Sequence, residues 1–563
     1  MPATVRHTVD FDRIKALPRR SISRSDAEVW AEVLTPELRC KGSTAELRPW
    51  QAYALAEAAE NNGAWIALTV GQGKTLIAEL LPVVMKSKRS ILIIPAVARD
   101  KTYADRREFR GVWRLANPPP RLVSREELAL ESNAYLLDQL KPDLIIIDES
   151  DDLSNRASGA ARRIDRYVLA QEDAVSVVAM TGTPSRNSIM GYWHLICWAL
   201  RERAPMPMRE GEALLWAGAL DNKGPRGERG GRVRPGPLGA NVKEARAWFA
   251  QRLTQTPGVL VVDEDSAPDV PLTVRIRLAN ECPILDQHFN RFLVDQENPD
   301  GQPVSDPLSR WLIDGQLGCG HYTRWDPPPP DDWASARRNV ARLVRSYIDS
   351  PANKRSARPI DTEAQVLRRH EDHEVVATWR AIKDTYIPKD NSETVWVSDA
   401  TLETAIEWLN ESDDPGIVWC GSVAFAKALS DRGKLPYYGP KGKDQRGRGL
   451  HNATVENIVA SWKANKKIFN LQPWARQLIV MPPQSAKWLE QIFGRCHRSG
   501  QKNPVVIDFL VTSGGTLDSF EIAVSEASFS RETITLTQKI TRATIERATP
   551  TITPANKFRW ATR

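Results

Sequence analysis

Four short apolar runs in the first third of the chain, each followed by residues with helical spacing, constrain the fold more than any other feature. They are 64–69 (AWIALT), 90–95 (SILIIP), 143–148 (DLIIID) and 175–180 (VSVVAM). Runs without polar alternation predict strands buried on both faces, and strands spaced by helices predict a parallel α/β sheet. Residues 117–120 (NPPP) break the pattern between two units. The runs return at 416–420 (GIVWC), 476–481 (RQLIVM) and 505–510 (VVIDFL), with helices predicted over 423–431, 454–463 and 485–497. Between these halves, 197–390 is rich in Trp and Arg, has amphipathic helical spacing at 340–347 and 364–382, and carries the Pro run 327–330. The reading is therefore two α/β units around a largely helical middle. Its boundaries are an N-terminal extension at 1–45, a first lobe at 46–196, a helical insertion at 197–392, a second lobe at 393–515 and a helical tail at 516–563 with a frayed end.

With 41% hydrophobic and 26% charged residues, the 563-residue chain is not wholly disordered, collagenous or mucin-like. The six cysteines are scattered and form no C-x-x-C, which argues against a disulfide scaffold or structural zinc and for a reducing compartment. The first residues have no signal-peptide core, and no apolar run approaches the roughly 18 residues of a membrane span. A soluble, cytoplasmic protein is expected. The net charge of +7 is mild but unevenly spread. Residues 222–246, 434–449 and the tail after 530 are each strongly basic, and the first two are rich in glycine. Such loops suit a phosphate backbone, and they equally suit a solvated surface.

The sharpest local signal is Gly71-Gln72-Gly73-Lys74-Thr75, set between a predicted strand and a predicted helix. Glycines let main-chain N–H groups close around phosphates, and a helix N-terminus adds positive partial charge. Lys74 would neutralise the phosphates, and the Thr75 hydroxyl would ligate magnesium. The full G-x-x-x-x-G-K-[ST] pattern needs glycine where Leu68 stands, and a G-x-G-K-T alone also fits an ordinary tight turn. Further on, the apolar run 144–147 delivers Asp148 and Glu149 together at a strand end. Asp148 would hold magnesium through water and Glu149 would polarise the attacking water; the bland alternative is a solvated acidic turn. Thr181-Gly182-Thr183-Pro184 closes another buried run with a hydroxyl-rich turn.

Taken together, Gly71–Thr75, Asp148-Glu149 and Thr181–Pro184 resemble motifs I, II and III of superfamily-two helicases and translocases. Gln491-Ile492-Phe493-Gly494-Arg495-Cys496-His497-Arg498-Ser499-Gly500-Gln501 resembles motif VI of the Swi/Snf-like ATPases, Q-x-x-x-R-x-H-R-x-G-Q. Leu47-Arg48-Pro49-Trp50-Gln51, residues 92–96, Asn470-Leu471-Gln472 with Met481-Pro482-Pro483, and Gly515-Thr516-Leu517-Asp518 resemble further family segments. The compact size and divergent middle are most similar to versions encoded by bacteriophages.

The resemblance implies two RecA-like P-loop lobes that sandwich ATP and magnesium. It implies that Gln51 reads the adenine edge with Arg48 nearby, and that Gly71, Gln72, Gly73, Lys74 and Thr75 cradle the phosphates. Thr75 and Asp148 would bind magnesium, Glu149 would activate water, and Gln491 would position water or a phosphate oxygen. Arg495 and Arg498 would be finger arginines, while Thr181, Thr183 and Asn470 would couple phosphate state to nucleic acid. Two departures stand out. Leu68-Thr69-Val70 replaces an acidic stretch before the loop, and Asp151 stands where His is usual, at the position that would couple hydrolysis to motif III.

The implied activity is an ATP-dependent DNA translocase, acting as a monomer on DNA with duplex favoured over single-stranded or branched forms. Its setting would be phage or bacterial replication, recombination or repair, in the host cytoplasm and alongside proteins of those processes. The rivals are a strand-separating DNA or RNA helicase, and a nucleic-acid clamp with a silent nucleotide site. Cys319, His321 and His288 fall short of a tetrahedral metal set, and His370 with His373 reads as a charged helix face. Trp248, Trp311, Trp325, Trp333 and Trp379 could stack bases but read chiefly as packing residues.

Overall fold

The computed structural model describes residues 3–560 except 172–173, 185–186, 223–231, 266, 268, 296, 298, 300–306, 349, 355–359, 361, 389, 440–441 and 466–469. Six parallel strands form the first sheet: β1 (Ala64–Leu68), β2 (Ser90–Ile94), β3 (Arg121–Ser124), β4 (Leu144–Ile147), β5 (Ser176–Thr181) and β6 (Val259–Val262). Their order is β3-β2-β4-β5-β1-β6. β1 and β4 are buried along their whole length, as runs covered by helices on both faces must be. Ile147 lies opposite Ala179 and Ala67 opposite Thr181, so the chain leaves β4, β5 and β1 side by side at the carboxyl edge. In open parallel sheets that edge is where ligand-binding loops gather.

The second sheet opens with β7 (Leu272–Leu278). β8 (His321–Trp325) and β9 (Ser392–Trp396) then form a separate antiparallel pair. β10 (Gly416–Cys420), β11 (Tyr437–Tyr438), β12 (Ile458–Ser461), β13 (Arg476–Val480), β14 (Val505–Val511) and β15 (Thr544–Arg547) complete the second sheet, all parallel, in the order β11-β12-β10-β13-β14-β7-β15. The Ala486–Cys496 helix joins β13 to β14.

The stretch 197–392, expected as a helical insertion, is built differently. Its residues 259–262 form the edge strand of the first sheet and 272–278 lie inside the second, so the chain passes between lobes at about 263–271. Val259-Leu260-Val261-Val262 is short and directly follows a helix, whereas Leu272–Leu278 alternates, burying Leu272, Val274 and Ile276 and turning arginines outward. The helix expected over 454–463 is instead β12, whose four residues are all buried between β11 and β10. The tail contributes β15, paired to β7, beyond its long helix Gly514–Ile534. That helix places Phe520, Ala523 and Ala527 in the second lobe's core, while Phe529, Ile534 and Leu536 lie in the first. Among the described residues no helix is long and apolar enough to cross a membrane.

Candidate nucleotide site between the two sheets

β1 ends at Leu68, and the chain turns through Gly71 (φ +97°) and Gly73 (φ +78°) into the Lys74–Val84 helix. Both angles favour glycine, and at position 73 a side chain would also have to displace Gln51. A Cβ there would lie 2.2 Å from Nε2 of Gln51. Gln51 is buried in the Pro49–Glu60 helix and donates from Nε2 to the Gln72 carbonyl at 3.2 Å. Its Oε1 accepts from the Arg48 N–H at 3.0 Å, and Arg48 Nη1 donates to the Gly71 carbonyl at 3.0 Å. These bonds occupy the carbonyl side of the loop. The N–H groups of Lys74 and Thr75, in the first helical turn, have no carbonyl partner within their own helix. Lys74 extends its ammonium to the Leu68 carbonyl at 3.1 Å. Gly182 gives it room, since a Cβ there would sit 3.1 Å from Nζ.

Asp148 and Glu149 are half-buried at the end of β4. Glu149 adopts φ +53°, an unusual conformation for a non-glycine residue, and its N–H donates to Asp148 Oδ1 at 3.0 Å. Backbone strain of this kind persists where the surroundings hold it. The Thr75 hydroxyl and the Asp148 carboxylate are oxygen donors suited to a hard cation such as magnesium. Asp151, two residues beyond Glu149, is buried and accepts from Thr181 Oγ1 at 3.0 Å and Thr183 Oγ1 at 3.2 Å. The turn after β5 is therefore joined to the acidic segment through an aspartate, at the position where the resemblance led us to look for histidine.

The second lobe meets this surface through the Ala486–Cys496 helix. A Cβ built on Gly494 would lie 3.0 Å from Cγ1 of Val70, so the helix rests directly on the glycine loop. Arg495 is buried, and its pKa is pushed down to about 10 by burial first and by neighbouring Arg498 second, with the Glu149 carboxylate acting in the opposite sense. Arg498 is lowered by burial and then by Arg48. The two second-lobe guanidinium groups thus lie within the fields of the first lobe's Glu149 and Arg48. Arg498 Nη1 also donates to Oδ1 of Asn470, which places that exposed asparagine at the same edge. Gln491 is buried on the helical face that bears Arg495, and among the described residues neither its Nε2 nor its Oε1 has a hydrogen-bond partner. Lysine, two arginines, a helix N-terminus and an unsatisfied amide converge on one interface. That is a donor set for a polyanion flanked by carboxylates.

The structure thus brings Arg48, Gln51, the 71–75 loop, Asp148, Glu149, Thr181, Thr183, Gln491, Arg495 and Arg498 to one boundary. Thr181 and Thr183 are buried with their hydroxyls on Asp151, and Gln51 faces the loop's carbonyls. Sequence reasoning passed over Lys487, whose ammonium pairs with Asp151 and donates to Asp152 Oδ1 at 2.8 Å. The signal was present: Lys487, Gln491, Gly494, Arg495 and Arg498 fall on one helical stripe, where polar residues would otherwise face water. It also passed over Lys539, which donates to Asp265 Oδ1 at 2.7 Å and His497 Nδ1 at 3.0 Å, and no local pattern marks it.

Elsewhere, His321 is buried and shares a 2.7 Å hydrogen bond with Ser422 Oγ. Among the described residues no three His, Cys, Asp or Glu are placed to hold a metal. Trp248, Trp311, Trp333 and Trp379 pack in or against hydrophobic clusters, whereas Trp325 is exposed. Of the basic stretches, residues 223–231 and 440–441 lie outside the described residues. The chain matches no family model, and no curated protein matches it.

Proposed function

We propose that the protein is a nucleic-acid-dependent ATP hydrolase of the Swi/Snf-like type, a DNA translocase whose two RecA-like lobes close on ATP. The observation that carries this reading is the seating of the Ala486–Cys496 helix on the glycine loop, with Gly494 against Val70 and Arg495 in the field of Glu149. Magnesium bound through Thr75 and, by way of water, Asp148 would supply charge neutralisation at the phosphoryl oxygens. Lys74 and the first-turn N–H groups bind the triphosphate, Glu149 orients the attacking water, and Gln491 holds a water or phosphate oxygen. Arg495 and Arg498 place several fixed N–H donors where negative charge spreads as the bond breaks. Because Arg495 is largely removed from water, its attraction for that charge is stronger than at an exposed site. Loss of the charge after hydrolysis frees the second lobe to part from the first and to step along DNA, in the manner of a nucleotide-driven domain closure.

ATP turnover measured with single-stranded DNA, duplex, fork, four-way junction and RNA tests this reading. Turnover should rise with DNA and vanish in Lys74→Ala. Arg498→Ala should lower kcat by about 100- to 1000-fold while nucleotide still binds. Turnover indifferent to both DNA and Lys74→Ala would refute the motor. Triplex displacement without forked-duplex unwinding is expected of a translocase; the reverse would make the protein a strand-separating helicase.

A further inference from the structure

The start of the Ala486–Cys496 helix is fastened to the first lobe more firmly than a mobile boundary requires. Lys487 is almost wholly buried, and its ammonium pairs with Asp151 and Asp152 together. Asp152 in turn pairs with Arg125, at the end of β3. One residue earlier, the Ala486 N–H donates to Glu526 Oε2 at 2.8 Å, and Glu526 Oε1 accepts from Asn187 Nδ2 of the first lobe at 3.1 Å. Burial alone would lower the Lys487 pKa, but Asp151 and then Asp152 outweigh it and hold the ammonium above its ordinary value. The residue is a fixed cation between two anions of the opposite lobe.

What Asp151 touches gives this pair its meaning. Its two oxygens also hold the hydroxyls of Thr181 and Thr183. Gly182, between those threonines, makes room for the Lys74 ammonium. Lys487 lies on the same helical face as Arg495 and two turns before it, about 12 Å along the axis. One contiguous path therefore runs from the phosphate-loop lysine through the β5 turn and Asp151 to Lys487, and along a rigid helix to the arginines. A shift at its lysine end moves the guanidinium groups by a comparable amount.

We propose that Lys487 is the positioning residue for Arg495 and Arg498, and that its pair with Asp151 sets where the two guanidinium groups stand relative to Lys74. The inference rests on the reading under Proposed function and adds to it a residue that touches no nucleotide. In this chain the aspartate at the fourth position of the D-E-S-D segment and the lysine opposite it form a matched pair.

The test uses the full chain with saturating duplex DNA and three single variants, Lys487→Met, Lys487→Arg and Asp151→Asn, with the Lys487→Met/Asp151→Asn double. Lys487→Met should lower kcat by about 100-fold, the scale of a misplacement near 1 Å. KM for ATP and binding of a non-hydrolysable ATP analogue should stay within about threefold of wild type. Lys487→Arg should recover most of the rate, and the double should be no slower than the slower single, as for two residues acting as one unit. A Lys487→Met kcat within about threefold of wild type overturns the proposal. So does a rate loss matched by lost analogue binding and not recovered by arginine. If Lys487→Met does not fold, the split between kcat and KM is read from Asp151→Asn, which keeps the side-chain volume. Wild-type protein with no ATP turnover removes the motor reading and this proposal together, whereas wild-type turnover that Lys487→Met retains removes this proposal alone.

Discussion

Replacing Gly494 with alanine puts a carbon 3.0 Å from Val70 Cγ1 and 3.3 Å from Val70 Cβ, across the boundary between the lobes. Carbon atoms prefer separations of about 3.5–4.0 Å, so the Val70 side chain and the helix must give way by a few tenths of an ångström. The effect on folding is small, because two terms oppose each other. Alanine in a helix interior gains about 1 kcal/mol over glycine, and overpacking costs about 1–3 kcal/mol. The net change is at most about 2 kcal/mol, a shift of a few degrees in Tm. Under the proposed function the effect on turnover is larger, since Arg495 is the next residue and a shift of a few tenths of an ångström is a sizeable part of the roughly 0.5 Å within which a catalytic donor must be held. We expect kcat to fall about 3- to 10-fold with KM for ATP little changed, and Gly494→Val to lose more. Steady-state ATP turnover with duplex DNA, paired with a thermal melt, measures both quantities. An alanine variant with kcat within about twofold of wild type would refute the reasoning, because the lobes would then not work in this contact.

Two further predictions concern stability. His194 and His321 are buried, and burial holds both imidazoles down to about 4. Unfolded histidine takes up its proton near 6.5, so between about pH 6.5 and 4 the unfolded chain binds more protons and stability falls as the pH drops. Each histidine removes about 2 kcal/mol at pH 5, which urea titrations at pH 5 and 7 should detect, and His194→Gln should halve the difference. Separately, Lys539 and Asp265 form a buried pair at 2.7 Å that ties the segment between the sheets to the tail. Asp265→Asn removes the nearest counter-charge of the ammonium, leaving it the field of buried Glu490, and should cost about 1–3 kcal/mol by urea titration; no measurable loss would show that the pair is not closed in solution.

The parts of the fold legible in the sequence were those where burial on both faces forces an unbroken apolar run, as at β1, β4 and β10. Where one face carries charge, the signal dissolved. β7 alternates because Arg275 answers Asp508 and Arg277 answers Glu411, partners distant in sequence. β12 misled through its spacing. Val455, Ile458, Val459 and Trp462 fall at helical intervals, yet three-dimensional pairing with β10 and β11 overrode them. At the site, the glycine loop and the Asp148-Glu149 pair were visible because their chemistry depends on local order. Glu526 and Asp265 were not, because each is defined by a partner on another element, and of Lys487 only its place on the helical stripe was legible, not its aspartate partners.

The Gly514–Ile534 helix, rooted in both cores, bears on how the chain is made. Phe529, Ile534 and Leu536 fill a gap in a core whose other walls are laid down some three hundred residues earlier. During synthesis the first lobe must therefore wait, with an apolar seam exposed, until nearly the whole polypeptide has left the ribosome. Neither half is a finished object by itself, and a chain interrupted before Phe529 would leave the first core with an uncovered apolar seam.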